Sequence, residues 1–327
     1  MPKNHYLRDA FYAGLKQIDT DEMMHAVAEH TTLKGEWLTG VVSPSLTANE
    51  CRLSRLKVFL GDDPQPGFKW MAVRAGEPDA VTQLNFIRGF TMEGVVVTAL
   101  KRSLGLNRIM GHAPTLVFKW RYKGDDIQLS MYNQGMIFAG HPDMMVWSDH
   151  QNPQLELVQI KAPSIFKFER QQRLGDEDVL KSYRSQMATE MYIGRKMGYP
   201  IRRSHLMMVS WEGTPKMDNP HCLVVTMEWN DSLEQIPEQI ARELIQDYDR
   251  AYTMGIWPEP YPEHRADSWP CNYCKFHRLG GFDMIGCTEQ QEWERYTTSG
   301  ETRLTTPAPD PTNPKILTMK SRRRRSA

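Results

Sequence analysis

The chain has 327 residues, with 40 Lys and Arg against 40 Asp and Glu, and five Cys. That length supplies one large domain or two ordinary ones with a sizeable core, and the balanced charge means that any nucleic-acid surface must come from local clustering. No apolar run reaches the length of a membrane span, the polar start Met1-Pro2-Lys3-Asn4-His5 is unlike a secretory signal, and the cysteines are too few for a disulfide scaffold, so a soluble cytoplasmic protein is expected.

The first forty residues carry helix-like periodicity. A break follows at Ser43-Pro44-Ser45, and Thr47 with Glu50 three residues on reads as a helix start. Phe86 to Leu104 is again helical, with Gly105 as terminator. Residues 115 to 161 read as strands: 116–118, 127–129, 136–139, 144–147 and 155–160, separated by turn residues such as Lys123-Gly124-Asp125-Asp126. A charged segment, 164–178, leads into a helix from about Glu177 to Met197. Two strands, 205–211 and 222–229, precede an amphipathic helix from Leu233 to Met254. Beyond Pro258 the chain bears Pro and Cys and reads as irregular. From Ser299 it turns polar and ends in Arg322-Arg323-Arg324-Arg325, as a disordered tail does. The expected divisions are 1–85, a helical region; 86–257, an α/β core with a mixed central sheet flanked by helices; 258–298, a cysteine region; and 299–327, the tail.

Two segments carry the chemistry. Asp143 closes the run Gly140-His141-Pro142-Asp143, and Gln159-Ile160-Lys161 ends the strand that follows. Side chains alternate along a strand, so Gln159 and Lys161 point one way and Ile160 the other. A carboxylate able to hold magnesium, beside a lysine, suits phosphodiester hydrolysis, because both stabilise charge growing on a phosphoryl oxygen. Glu93, among apolar neighbours on the helix 86–104, is a third candidate. Tyr183, Gln186 and Glu190 share a face of the later helix, and Tyr192 lies well round it. Taken singly, each also reads as a turn aspartate, a solvated strand end or a surface glutamate.

In order and spacing these segments resemble the RecB-like branch of the PD-(D/E)XK nucleases, which includes CRISPR-associated RecB-like exonucleases and phage YqaJ exonucleases. Gly89 to Glu93 matches the family's helical motif, Gly140 to Asp143 its Gly-x-x-Asp, and Gln186 opens its last motif. The resemblance spans roughly residues 40 to 290. It implies a restriction-endonuclease-like core and a DNA exonuclease dependent on Mg2+ or Mn2+. Glu93, Asp143, Gln159 and the Ile160 carbonyl would be the metal ligands, Lys161 the residue that orients water and stabilises the transition state, and Gln186 a phosphate or Lys161 partner. Gln159 departs from the family's carboxylate, and Glu190 stands where many members have Tyr. One fewer negative charge predicts weaker magnesium binding and a relative preference for manganese.

Cys271-Asn272-Tyr273-Cys274 is a C-x2-C knuckle, with Cys287 downstream and Cys51 far upstream. Two thiolates so spaced converge on one metal. The resemblance implies a 4Fe-4S cluster on Cys51, Cys271, Cys274 and Cys287. Zinc on Cys271, Cys274, His277 and Cys287 is the alternative. Cys222, within a strand, reads as core. Lys167, Arg170, Arg173, Lys181 and Arg184, interleaved with Phe166 and Phe168 and near Tyr183 and Tyr192, are the candidate DNA contacts for a single strand or a duplex end. Four acids within 169–178 could offset that charge. The leading expectation is thus an end-directed DNA exonuclease of repair, recombination or phage DNA metabolism, with protein partners in those processes. A catalytically silent DNA-binding or assembly subunit, and a zinc-binding interaction module, are the other readings.

Overall fold

The computed structural model describes residues 5–34, 40–48, 51–60, 80–120, 136–148, 154–211, 220–254, 258, 293–296 and 302–305. Helices α1 (Tyr6–Leu15) and α2 (Thr20–Lys34) open the chain, followed by β1 (Val41–Val42), α3 (Pro44–Thr47) and α4 (Arg52–Leu60). Ser43, not Thr47, caps α3: its hydroxyl accepts the Leu46 amide, and Pro44 takes the first helical position, where its missing N–H costs nothing. The long α5 (Ala80–Leu104) ends at Gly105, whose φ of 78° is a left-handed conformation that glycine adopts without strain.

The strands β2 (Ile109–His112), β3 (Leu116–Trp120), β4 (Met136–Gly140), β5 (Met144–Trp147) and β6 (Leu155–Lys161) follow. Next come α6 (Ile165–Gln172), α7 (Asp176–Lys181), α8 (Arg184–Lys196), β7 (Ile201–Ser210), β8 (His221–Glu228) and α9 (Ser232–Met254). The helix expected from Glu177 to Met197 is therefore two helices, with Tyr183 capping the second. The strand expected at 127–129 lies outside the described residues. The tail expected to be disordered begins with a strand: β10 (Thr302–Thr305) pairs antiparallel with β9 (Trp293–Tyr296).

The chain falls into two units. The first holds residues 1–48, 77–126 and 132–240; the second holds 49–76, 127–131 and 241–327. The first contains a mixed five-stranded sheet in the order β2-β5-β6-β7-β8, in which only β6 and β7 run parallel, and a smaller sheet in the order β1-β4-β3. The α/β class with a mixed sheet flanked by helices is as expected. Central β6 is buried from Leu155 to Ile160, its polar Glu156 and Gln159 included.

Val158 and Ile160 of β6, with Met144, Val146, Met207 and Val209, form one core with Leu7 and Phe11 of α1 and with Met92, Val96, Val97 and Leu100 of α5. The approach of α1 to α5 is close: a Cβ on Gly14 would lie 1.8 Å from the Ala99 carbonyl oxygen. Helix α8 covers the other face, where a Cβ on Gly194 would meet Ile201 Cδ1 at 2.2 Å. In the second unit α4 is tied to α9. Arg52 forms a two-pronged ion pair with buried Asp247, its Nε donating at 3.1 Å, and Arg55 reaches Glu243 at 3.3 Å.

Candidate functional site

The register of β5 on β6 pairs Met144 with Val158, so Asp143, one residue earlier, falls opposite Gln159. Asp143 is fully buried, and its Oδ2 accepts the backbone N–H of Ile160, which fixes the carboxylate against the end of β6. Gln159 is 2% exposed, and its amide oxygen meets no hydrogen-bond donor among the described residues. A buried polar oxygen without a donor needs an explanation, and a bound cation is one. Lys161, the half-buried last residue of the strand, points to the same face as Gln159.

Helix α8 starts against that face. Burial pushes the Tyr183 phenol above its ordinary pKa, and the nearby Lys161 ammonium partly offsets this; Lys167 Nζ lies 6.0 Å from the Tyr183 ring centre. The phenol therefore stays protonated at neutral pH beside two cationic side chains. One turn on, Gln186 Nε2 donates to Oε1 of buried Glu190 at 3.5 Å. Asp143, Gln159, Lys161, Tyr183 and the start of α8 thus come together.

Glu93 is on α5, which covers the Ile160 face. Arg88 of α5 donates to the Pro163 carbonyl at 3.5 Å, just beyond Lys161. Glu93 lies five residues further along the helix, a rise of roughly 7.5 Å from Arg88. Among the described residues no group of three or more His, Cys, Asp and Glu converges. A cation here would take two carboxylates at most, completed by neutral oxygens.

No protein-family model matches the chain, and no curated protein matches it. Among solved structures it is similar to an alkaline exonuclease from Laribacter hongkongensis, at 14% identity over 71% of this chain and 100% of that one, with a TM-score of 0.37. It is similar to the same exonuclease in complex with dAMP at 15% identity over 67% of this chain and 94% of that one, with a TM-score of 0.39. At that level of identity and overlay, the chemistry of the site has to be read from its own atoms.

Several expected DNA contacts have other duties. Tyr192 is buried, its hydroxyl donating to Glu238 Oε1 at 3.0 Å and its ring packed on Phe118 and Phe138, so it presents no face to a strand. Phe168 is likewise core, at 1% exposure. Lys181 pairs with Asp178 at 2.6 Å and Arg173 with Glu169 at 3.9 Å, so the local acids do offset this charge. Lys167, Arg170 and Arg184 are exposed. Cys51 is buried and disulfide-bonded, and Cys222 is a free buried thiol whose pKa burial raises to about 12. Cys271, Cys274, His277 and Cys287 lie outside the described residues, as does the Arg322–Arg325 run.

A second buried polar group is not apparent in the sequence. Glu156, 1% exposed, accepts from the Tyr6 hydroxyl, pairs with His205 Nε2 at 3.0 Å and faces Arg203 at 3.6 Å. Burial alone would raise its pKa, but the bonds from His205 and Tyr6 and the Arg203 charge outweigh it and hold the carboxyl below its ordinary range. His205 Nδ1 meets Thr226 at 2.9 Å, which in turn meets His5 at 3.3 Å. This group lies toward the start of β6, away from Lys161, and ties α1 to the sheet.

Proposed function

We propose that the chain is a metal-dependent DNA exonuclease that hydrolyses phosphodiester bonds with Asp143, Gln159 and Lys161 at its centre. The observation that carries this reading is the pairing of a buried, backbone-fixed Asp143 with a donorless Gln159 amide oxygen, two residues along β6 from Lys161. The oxygens present fit a hard cation. Asp143, Glu93, Gln159 and the Ile160 carbonyl would hold it, and Glu93 would reach round the strand end. When bound, a divalent cation supplies Lewis-acid stabilisation and a water of lowered pKa.

The chain's own residues do the rest. The Ile160 amide holds the Asp143 carboxylate in one orientation, so no reorganisation is needed at the reacting centre. Lys161, charged and half-buried, places its ammonium where charge grows on the phosphoryl oxygen and orients the attacking water. Tyr183, kept as a neutral phenol, offers a hydrogen bond beside it. Gln186, at the start of α8, would serve as a phosphate contact or a brace for Lys161. Exposed Lys167, Arg170 and Arg184 would guide the phosphate backbone.

The cysteines fit a separate structural centre. Buried Cys51 would be the upstream ligand of a 4Fe-4S cluster completed, in reduced form, by Cys271, Cys274 and Cys287. Iron and zinc content with the visible absorption spectrum of anaerobically purified protein decides between the cluster and zinc.

The nuclease reading is tested on single-stranded and duplex DNA labelled at one end, with Mg2+ or Mn2+. Cleavage from the ends by the wild type and its loss in Asp143→Ala are expected. Cleavage that survives Asp143→Ala would exclude this centre, and a wild type that binds DNA without cutting it would indicate the silent binding subunit.

A further inference from the structure

At the strand end where Lys161 emerges, three large apolar side chains from three elements are exposed. Phe166 on α6 is 80% exposed, Ile87 on α5 is 61% and Trp211, just past β7, is 47%. Scattered single cases need no explanation, but a cluster marks a binding surface. Arg88 joins the elements: it donates to the Pro163 carbonyl at 3.5 Å, and its guanidinium carbon lies 5.8 Å from the Trp211 ring centre. β6 and β7 run parallel with Lys161 opposite Met208, so the segments bearing Phe166 and Trp211 leave the sheet at the same end of their strands.

Lys167 and Arg170 are exposed on α6 beside this ledge, and Glu169 of the same helix pairs with Arg173. A duplex shows such a surface only phosphates, because its bases are stacked inside. An unpaired strand offers phosphates to the cations and ring faces to the aromatics.

We propose that Phe166 and Trp211, the latter backed by Arg88, form a stacking platform for the unpaired bases of a single-stranded DNA end that leads to Lys161. The assignment of the strand's destination rests on the nuclease reading; the binding itself does not need cleavage. Phe166 lies on the helix that also carries Lys167, so a base stacked on it keeps its phosphate near the Lys167 and Tyr183 pair. Trp211 takes a base from the β7 side, and Arg88 limits the indole's freedom to turn away.

The test is fluorescence anisotropy of a labelled oligothymidine with the full chain in EDTA, where no cutting occurs. Phe166→Ala and Trp211→Ala are each expected to weaken binding by about 5- to 150-fold, the range measured for losing one stacked base. Phe166→Tyr and Trp211→Phe should stay within about threefold of wild type, since they keep the ring. A strand of abasic sites should bind weakly and ignore all four substitutions, and a blunt duplex should respond less than the oligothymidine. Because Phe166 is so exposed, Phe166→Ala keeps its fold, and the thermal melt of each variant checks this.

Alanine variants that bind like wild type, equal losses on duplex and single strand, or aromatic replacements no better than alanine would each overturn the platform. End-labelled cleavage by wild type and Lys161→Ala is run beside it. Lys161-dependent cleavage with unaffected binding removes the platform alone, whereas ring-dependent binding without any cleavage keeps the platform and removes the nuclease reading.

Discussion

Gln159→Glu restores the carboxylate that the site lacks and separates a metal-binding role from a packing role. The side chain is 2% exposed and sits across the β5–β6 pair from fully buried Asp143. Directly opposed residues have Cβ atoms about 5 Å apart. Two carboxylates at about that distance, at an effective dielectric of about 20, repel by about 3 kcal/mol. Without metal the variant should therefore lose about 3 kcal/mol of stability or take up a proton at neutral pH. For a unit of this size that is a fall in Tm of roughly 6–12 °C. The same charge attracts a divalent cation, and about 3 kcal/mol corresponds to a roughly 100-fold lower magnesium midpoint. Thermal unfolding in EDTA and in magnesium, with cleavage followed against metal concentration, reads both effects. A variant that melts with the wild type in EDTA and shows no shift in its magnesium midpoint would refute the reasoning.

Lys161→Ala should lower the cleavage rate by about 10²–10³ with little change in melting, and should raise the Tyr183 phenol pKa further by removing a neighbouring positive charge; single-turnover rates and ultraviolet titration check the two. Burial, with the charge on His205, lowers the His5 imidazole from 6.5 to about 4. As pH falls below 6.5 the unfolded chain takes up that proton first, so stability should decline between pH 6.5 and about 4. The depressed Glu156 carboxyl acts in the same direction: its contribution is present above its ordinary value and is lost as pH falls through its folded one. Melting curves across this range should fall less steeply for His5→Gln. Gly14→Ala sets a methyl against the Ala99 carbonyl and should cost about 3 kcal/mol or more as α1 lifts from α5, seen as a lower urea midpoint.

What was legible in the sequence follows from local periodicity. Alternation placed Gln159 and Lys161 on one face and Ile160 on the other, and the core confirms Ile160 among Val158, Met207 and the α5 residues. Amphipathic spacing found α9 to within a residue and the end of α5, but missed the first six residues of α5 and the break between α7 and α8. The exposed Trp211 ended a strand pattern and could have been noticed as an aromatic without a core position. Its partner Arg88 gave no such sign, because nothing in a helical pattern says which strand end lies beneath it. The assignment of Phe168 and Tyr192 to DNA failed for a related reason: aromatic spacing does not distinguish a ring that stacks on a ligand from one that fills the core.

The sequence by itself determined the types of element, the side of β6 from which Lys161 points, and the presence of acids among the basic residues of α6 and α7. These depend on neighbours within a few residues along the chain, where backbone geometry sets the period. Only the tertiary structure decided that Asp143 accepts from Ile160, that Lys161 lies beside Tyr183, and that Glu156 holds His205 and Tyr6 from 49 and 150 residues away. Such pairs are set by strand register and helix packing, which bury polar atoms only where a distant partner can satisfy them. The donorless Gln159 oxygen departs from that rule, and it is where the proposed cation belongs.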